Sequence, residues 1–257
     1  MNRADTVKER VFSAIENCSG DLAALTSALV KFPSLFTYEE EAQRYVAERL
    51  RAGGADEVDL WYPEIEEMRK HPAYCSSRTD FNTSPIVVGT FRGSGGGRSL
   101  LLNGHIDVVP TGEGWDVSPF SGEIREGRVY GRGAADMKAG IAANIVAMEC
   151  IRRTGVRLKG DVLVNTVVDE ETGGMGALAT IVRGYRADGV VIPECVSMKV
   201  VTTTVGSTWV RLTVRGRAAV LANAHEGVSA IEKCMHIFSK LDAFEQERSA
   251  RLAHPKL

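Results

Sequence analysis

Ser99-Leu100-Leu101-Leu102-Asn103-Gly104-His105-Ile106-Asp107 is an apolar run that ends in an imidazole and a carboxylate two residues apart. The run reads as a strand, and strand geometry places residues i and i+2 on one face. His105 and Asp107 then point the same way, near the carboxyl end of the strand, where α/β folds bind ligands. An imidazole that ligates a metal through one nitrogen needs an acceptor for its other N–H, and a carboxylate is the usual partner. A surface His–Asp pair in a turn is the plainer alternative, and on this pair alone both readings stay open.

Outward from this run, strands and helices alternate. Upstream lie a β-rich run from Ile86 to Phe91 and a glycine turn from Gly93 to Gly97. Downstream come a helix pattern over Ala139–Arg152, a buried strand over Asp161–Val168, a short helix over Gly174–Arg183 and a short strand over Val190–Ile192. The first fifty residues read as helical. Tyr38–Leu50 carries apolar residues at helical spacing, with Thr37 placed to cap it, Glu40 completing a capping box, and Gly53 and Gly54 ending it. Glu57–Tyr62 then reads as a strand. The order implies an α/β sheet flanked by helices. Near residue 203 the style shifts. Thr208–Val214 alternates as a strand with one buried face, and Gly227–Phe244 is an amphipathic helix. The division expected is a catalytic domain over 1–202 and the opening of a second domain over 203–257.

Three further constellations fall at strand ends. Gly131-Arg132-Gly133-Ala134-Ala135-Asp136-Met137-Lys138 allows an irregular loop and puts an acid before a helix, where a simple helix cap also explains it. It has neither phosphate-loop spacing nor the third glycine of a dinucleotide fingerprint. Asp169-Glu170-Glu171-Thr172-Gly173-Gly174 follows a buried strand. Adjacent acids repel and are better tolerated when a cation neutralises them, although a solvated acidic turn is common. Ile192-Pro193-Glu194-Cys195 adds another carboxylate after a short strand. Together, one His and several carboxylates at strand ends suit Zn²⁺, with Mn²⁺ or Co²⁺ as alternatives.

The bulk properties are ordinary. The 257 residues are 44% hydrophobic and 25% charged, with 31 Lys plus Arg against 33 Asp plus Glu. That balance gives no electrostatic reason for nucleic acid or an anionic membrane as partner. The polar start and the absence of a long apolar run make a cytoplasmic location the default expectation. The cysteines at 18, 75, 150, 195 and 234 are odd in number and widely spaced without C-x-x-C. They argue against a disulfide framework or thiolate zinc site, with Cys150 and Cys234 read as plain core residues.

The four constellations, in this order, together with Gly114-Trp115, Pro119-Phe120 and the Tyr130–Gly133 run, resemble the co-catalytic zinc family of acetylornithine deacetylase, succinyl-diaminopimelate desuccinylase, aminoacylase-1 and the glutamate carboxypeptidases. The resemblance runs from about Ile86 onward and through Gly206–Lys233. It implies a zinc-peptidase-like mixed sheet with the start of an inserted α+β lid, or dimerisation, domain. It also implies two Zn²⁺: His105 and Glu194 on one, Glu171 on the other, and Asp136 bridging both through a segment with a cis Asp136–Met137 peptide. Asp107 would orient His105, and Glu170 would be the general base. The implied reaction is hydrolysis of the amide of an N-acyl amino acid or small peptide, in a chain able to form a homodimer through the lid.

Three departures from the family pattern accompany the match. The family's last zinc ligand is a late His, whereas only His225, His236 and His254 follow Glu194 here, each read as a lid or surface residue. Gly216-Arg217-Ala218-Ala219 leads to Val220 where the lid usually has a substrate-contacting His, with His225 five residues on. The chain ends at Leu257, after the first lid helix. These support an alternative in which the chain is a truncated, inactive relic or binding module of the same fold. Cys195 stands where the family often has Pro.

Overall fold

The computed structural model describes residues 3–251 apart from 77, 203, 205 and 207–209. The chain divides into two compact units, residues 1–199 and 200–257.

The first unit is built on a five-stranded sheet in the order β1 (Glu57–Trp61), β2 (Ile86–Phe91), β6 (Val162–Val167), β3 (Leu100–His105), β7 (Gly189–Val191). β1, β2 and β6 pair antiparallel, whereas β6–β3 and β3–β7 are parallel. β6 is buried at every position. Such a strand reads as a continuous apolar run instead of an alternating one. Its polar members are satisfied: Asn165 donates to Val87 O, and Thr166 Oγ1 and main-chain oxygen both bond the Gln43 amide.

Four long helices belong to this unit: α1 (Arg3–Glu16), α2 (Ser19–Val30) and α3 (Glu40–Ala52) before the sheet, and α5 (Ala139–Arg153) after β3. α3 and α5 share one face of the sheet. Gly89 and Gly104 both point there: a Cβ on the first would meet Leu50 of α3, and on the second Ile141 of α5. The short α6 (Met175–Val182) covers the other face, where Thr180 bonds Asn165. α4 (Ile65–Met68) packs on α6, and α1 and α2 pack on α5. A small hairpin, β4 (Glu123–Arg125) and β5 (Arg128–Tyr130), has no counterpart in the sequence expectations. Its two turn residues, Glu126 and Gly127, both have positive φ (53° and 72°), the backbone a two-residue hairpin requires.

Several expectations are corrected. Thr37 does not cap α3: its φ is 71°, the N-cap position belongs to Glu39, and no side chain caps the helix. The Glu39 carboxylate is instead buried against Arg78 and Ser84. Cys18 and Cys150 lie side by side, a proximity that the wide sequence spacing did not indicate. They lie 132 residues apart, and only the packing of α1 and α2 on α5 brings them together. Cys150 is nonetheless buried, as expected of a core residue.

In the second unit, part of the expected Thr208–Val214 strand lies outside the described residues, and 210–214 form no strand. Val210 and Leu212 are exposed. A strand needs a neighbour for its backbone groups, and among the described residues this unit has one isolated bridge, Arg217 to Val228. The expected helix is present as α7 (Ala230–Arg251), with no buried residue, so Cys234 is not in a core.

Candidate metal centre

His105 ends β3, the acidic triplet follows β6 and Glu194 follows β7, so three adjacent parallel strands deliver these groups to one edge of the sheet. That edge is the carboxyl end, where the main chain leaves the sheet and side chains converge.

His105 is 2% exposed. Its Nδ1 lies 3.0 Å from the main-chain oxygen of Asp107 and 3.6 Å from the Asp107 carboxylate. A carbonyl oxygen can only accept, so Nδ1 carries the hydrogen and Nε2 faces the site. Nε2 meets Asp136 Oδ1 at 3.1 Å, and Glu170 and Glu194 each at 3.8 Å. Burial alone would depress the imidazole's pKa, but the carboxylates of Asp107 and Glu170 outweigh it and lift it to about 10. Glu171 and Glu194 are both pushed above the usual carboxylate range, first by burial and then by neighbouring acids, with Asp136 foremost among them. The Cys195 thiol is pushed up for the same reasons. A cation among these acids would relieve that repulsion.

The donor atoms are spaced for one. His105, Asp136 and Glu171 offer ligand atoms within 4.8 Å of one another, and so do Asp136, Glu194 and Cys195. Asp136 belongs to both groups. Imidazole with carboxylates is a donor set for Zn²⁺ and related ions, so the residues present fit a divalent metal.

Local structure explains how each side chain arrives. Asp136 lies in an irregular π-type turn over Ala134–Lys138, and its peptide bond to Met137 is cis. It does not cap α5, whose N-cap is Lys138 with no side-chain cap bond. Gly133 opens the turn at φ 79°, where a Cβ would sit 2.4 Å from Val108. Only glycine suits that position. Met137 Sδ faces the His105 amide at 3.1 Å. Asp107 is nearly buried, and its Oδ2 accepts the Glu171 amide at 3.1 Å. Its carboxylate therefore holds the acidic turn, while its main-chain oxygen holds the imidazole.

Asp169 differs from its two acidic neighbours. It is 1% exposed, sits at φ 66°, and receives Arg78 Nε at 3.0 Å. Arg78 also donates to Glu39 (2.6 Å) and Ser84 (2.6 Å). This buried cation anchors the turn from behind while Glu170 projects outward, half exposed. Lys138, fully buried, donates to Leu29 O and Phe32 O, and burial depresses its pKa to about 7. Sequence reading missed both roles. Arg78 lies in an irregular segment with no motif, and Lys138 looks like an ordinary surface cation beside Asp136. Of the late histidines, His225 and His236 are exposed in the second unit, and His254 lies outside the described residues.

The family model described as peptidase family M20/M25/M40 matches residues 101–250. The chain belongs to this family. It is 30% identical over 268 residues to the N-formyl-4-amino-5-aminomethyl-2-methylpyrimidine deformylase of Halalkalibacterium halodurans, covering 97% of this chain and 58% of that one. The succinyl-diaminopimelate desuccinylase of Methylorubrum extorquens is 32% identical over 235 residues, covering 86% and 56%. Human carnosine dipeptidase 1 shares the fold at a TM-score of 0.57 and 19% identity, over 72% of this chain and 40% of that structure. The M20 chain described here thus spans about half the length of the curated relatives it matches. No helix among its described residues is long and apolar enough to cross a membrane.

Proposed function

We propose that this M20 chain carries the metal-binding catalytic part of an amidohydrolase that cleaves the acyl amide of an N-acyl amino acid or similar N-acyl amine. The observation that carries this is the shared position of Asp136 between two donor groups, one with His105 and Glu171 and the other with Glu194. The relatives named for deformylation and desuccinylation support the substrate class.

In this reading two divalent ions, Zn²⁺ before Co²⁺ or Mn²⁺, are held by His105, Asp136, Glu171 and Glu194. When bound, they supply Lewis acidity toward the acyl carbonyl and acidify water at the site. Glu170 is the general base. Its half-exposed carboxylate, 3.8 Å from His105 Nε2, stands where it takes a proton from attacking water and returns it to the leaving amine nitrogen. Asp107 positions His105 through its carbonyl and Glu171 through its carboxylate, which keeps Nε2 of the imidazole free to ligate. Residues 1–202 form the metal-binding domain, and 203–257 belong to a lid through which copies pair.

The test is metal content by mass spectrometry on the purified chain and its Asp136→Asn variant, with hydrolysis of N-formyl and N-succinyl amines assayed on the same samples. The expected result is bound divalent metal and metal-dependent turnover in the parent, with both lost in the variant. A parent that binds no metal, or that hydrolyses equally well when stripped of metal, overturns the reading.

A further inference from the structure

Cys195 offers a donor at this edge of the sheet that the proposed function does not use. The residue follows Glu194 directly, and neighbours in an extended strand point to opposite faces. Here the chain is not extended. The Glu194 amide donates to Ile192 O at 3.0 Å and the Val196 amide to Glu194 O at 2.8 Å. These are two overlapping three-residue turns. Curling the loop in this way brings both side chains to the same side. The Cys195 sulfur, a Glu194 oxygen and an Asp136 oxygen lie within 4.8 Å of one another. Two donors on one ion are separated by at most the sum of their bond lengths, about 4–4.5 Å for oxygen and sulfur on zinc. In a tetrahedral set the donors sit closer, roughly 3.3–3.7 Å apart, so the trio reaches ligating distance by side-chain rotation and without moving the chain. The loop is also braced from behind: a Cβ on Gly140 of α5 would sit 2.4 Å from Pro193 O.

We propose that Cys195 is a thiolate ligand of the ion held by Asp136 and Glu194, and that it biases this position toward Zn²⁺ or Co²⁺ over Mn²⁺ or Mg²⁺. Thiolate is a soft donor and favours the former pair, whereas a purely carboxylate and imidazole set leaves the harder ions competitive. Binding forms one sulfur–metal bond and releases the thiol proton to solvent, with no change of oxidation state. The inference rests on the metal-site reading above and assigns that site an additional ligand.

Anaerobic titration with Co²⁺, followed by absorption spectroscopy, tests it without any reference to activity. A thiolate on Co²⁺ gives a charge-transfer band in the near ultraviolet, separate from the visible ligand-field bands that report Co²⁺ bound by any donors. The expected result is the near-ultraviolet band in the parent and in Cys234→Ser, and its loss in Cys195→Ser. The Cys195→Ser variant keeps the visible bands and binds Co²⁺ about 10–100-fold more weakly, while its Mn²⁺ affinity moves much less. Visible bands in the parent without the near-ultraviolet band, or a band that survives Cys195→Ser, overturn the thiolate assignment alone. A parent that takes up no Co²⁺ overturns the metal-site reading and this inference with it.

Discussion

At the scale of single residues, the centre separates groups that face the site from groups that hold them. Glu170 is placed in the first class by its exposure and its nearness to His105 Nε2. Glu170→Gln is expected to lower turnover of an N-acyl amine by about 10²–10⁴-fold while metal content, measured on the same sample, stays at the parent level. Arg78 belongs to the second class. It is 3% exposed and bonded to Glu39 and Asp169, both also buried. Burial is the main reason Glu39 already lies above the ordinary carboxylate range. Arg78→Met would leave two acids without their cation, and removing one partner of a buried pair costs about 3–5 kcal/mol. Urea unfolding at neutral pH should show that loss. Part of it should return at lower pH, where the stranded carboxyls take up protons.

At the scale of elements, the site depends on how closely α5 approaches the loop after β7. Gly140 in the first turn of α5 leaves no room for a Cβ, which would meet main-chain oxygen of Pro193 at 2.4 Å. Backbone cannot rotate away as a side chain can. Gly140→Ala should therefore push the 192–195 loop outward, at an overpacking cost of about 1–3 kcal/mol. The more telling readout is calorimetric metal affinity. A shifted Glu194 should weaken it at least about tenfold, whereas a purely local packing loss would leave it unchanged.

At the scale of the whole molecule, two buried cations make opposing contributions to the pH dependence of the metal-free protein. His105 holds its proton up to about pH 10 when folded but only to its ordinary value of 6.5 when unfolded. Its contribution is complete below pH 6.5 and is lost as pH rises toward 10. Lys138 titrates near 7 when folded and at 10.5 when unfolded. The unfolded chain then binds the extra proton, and stability from this residue rises between those values. Through the overlap the two slopes, each about 1.4 kcal/mol per pH unit, largely cancel. Metal-free parent protein should show a nearly flat stability between pH 7 and 10 in urea titrations. Lys138→Met should show stability falling with pH across the same range. A flat profile in the variant would show that His105 does not retain its proton.

Much of the architecture was legible without coordinates because it depends on local pattern. The apolar runs at 86–91, 162–167 and 189–191 and the helical spacing in 139–153 fall close to the expected places. The acids that follow those runs had to lie at the sheet edge, since strand ends determine where the chain emerges. The sequence alone also carried the resemblance to the family. Tertiary structure decided what depends on distance in space between parts remote in sequence. Thr37 has every local mark of a helix cap, yet its neighbour Glu39 is drawn into the interior by Arg78, 39 residues away. The alternation near Thr208–Val214 describes a face that could be buried, but a strand forms only where another supplies hydrogen bonds. Cys18 and Cys150 meet across 132 residues through helix packing that no spacing rule encodes. Which neighbouring acids face outward, which one is buried, and where the Cys195 sulfur lies were likewise settled by turns and packing partners, because a side chain's environment is set by what the fold places against it.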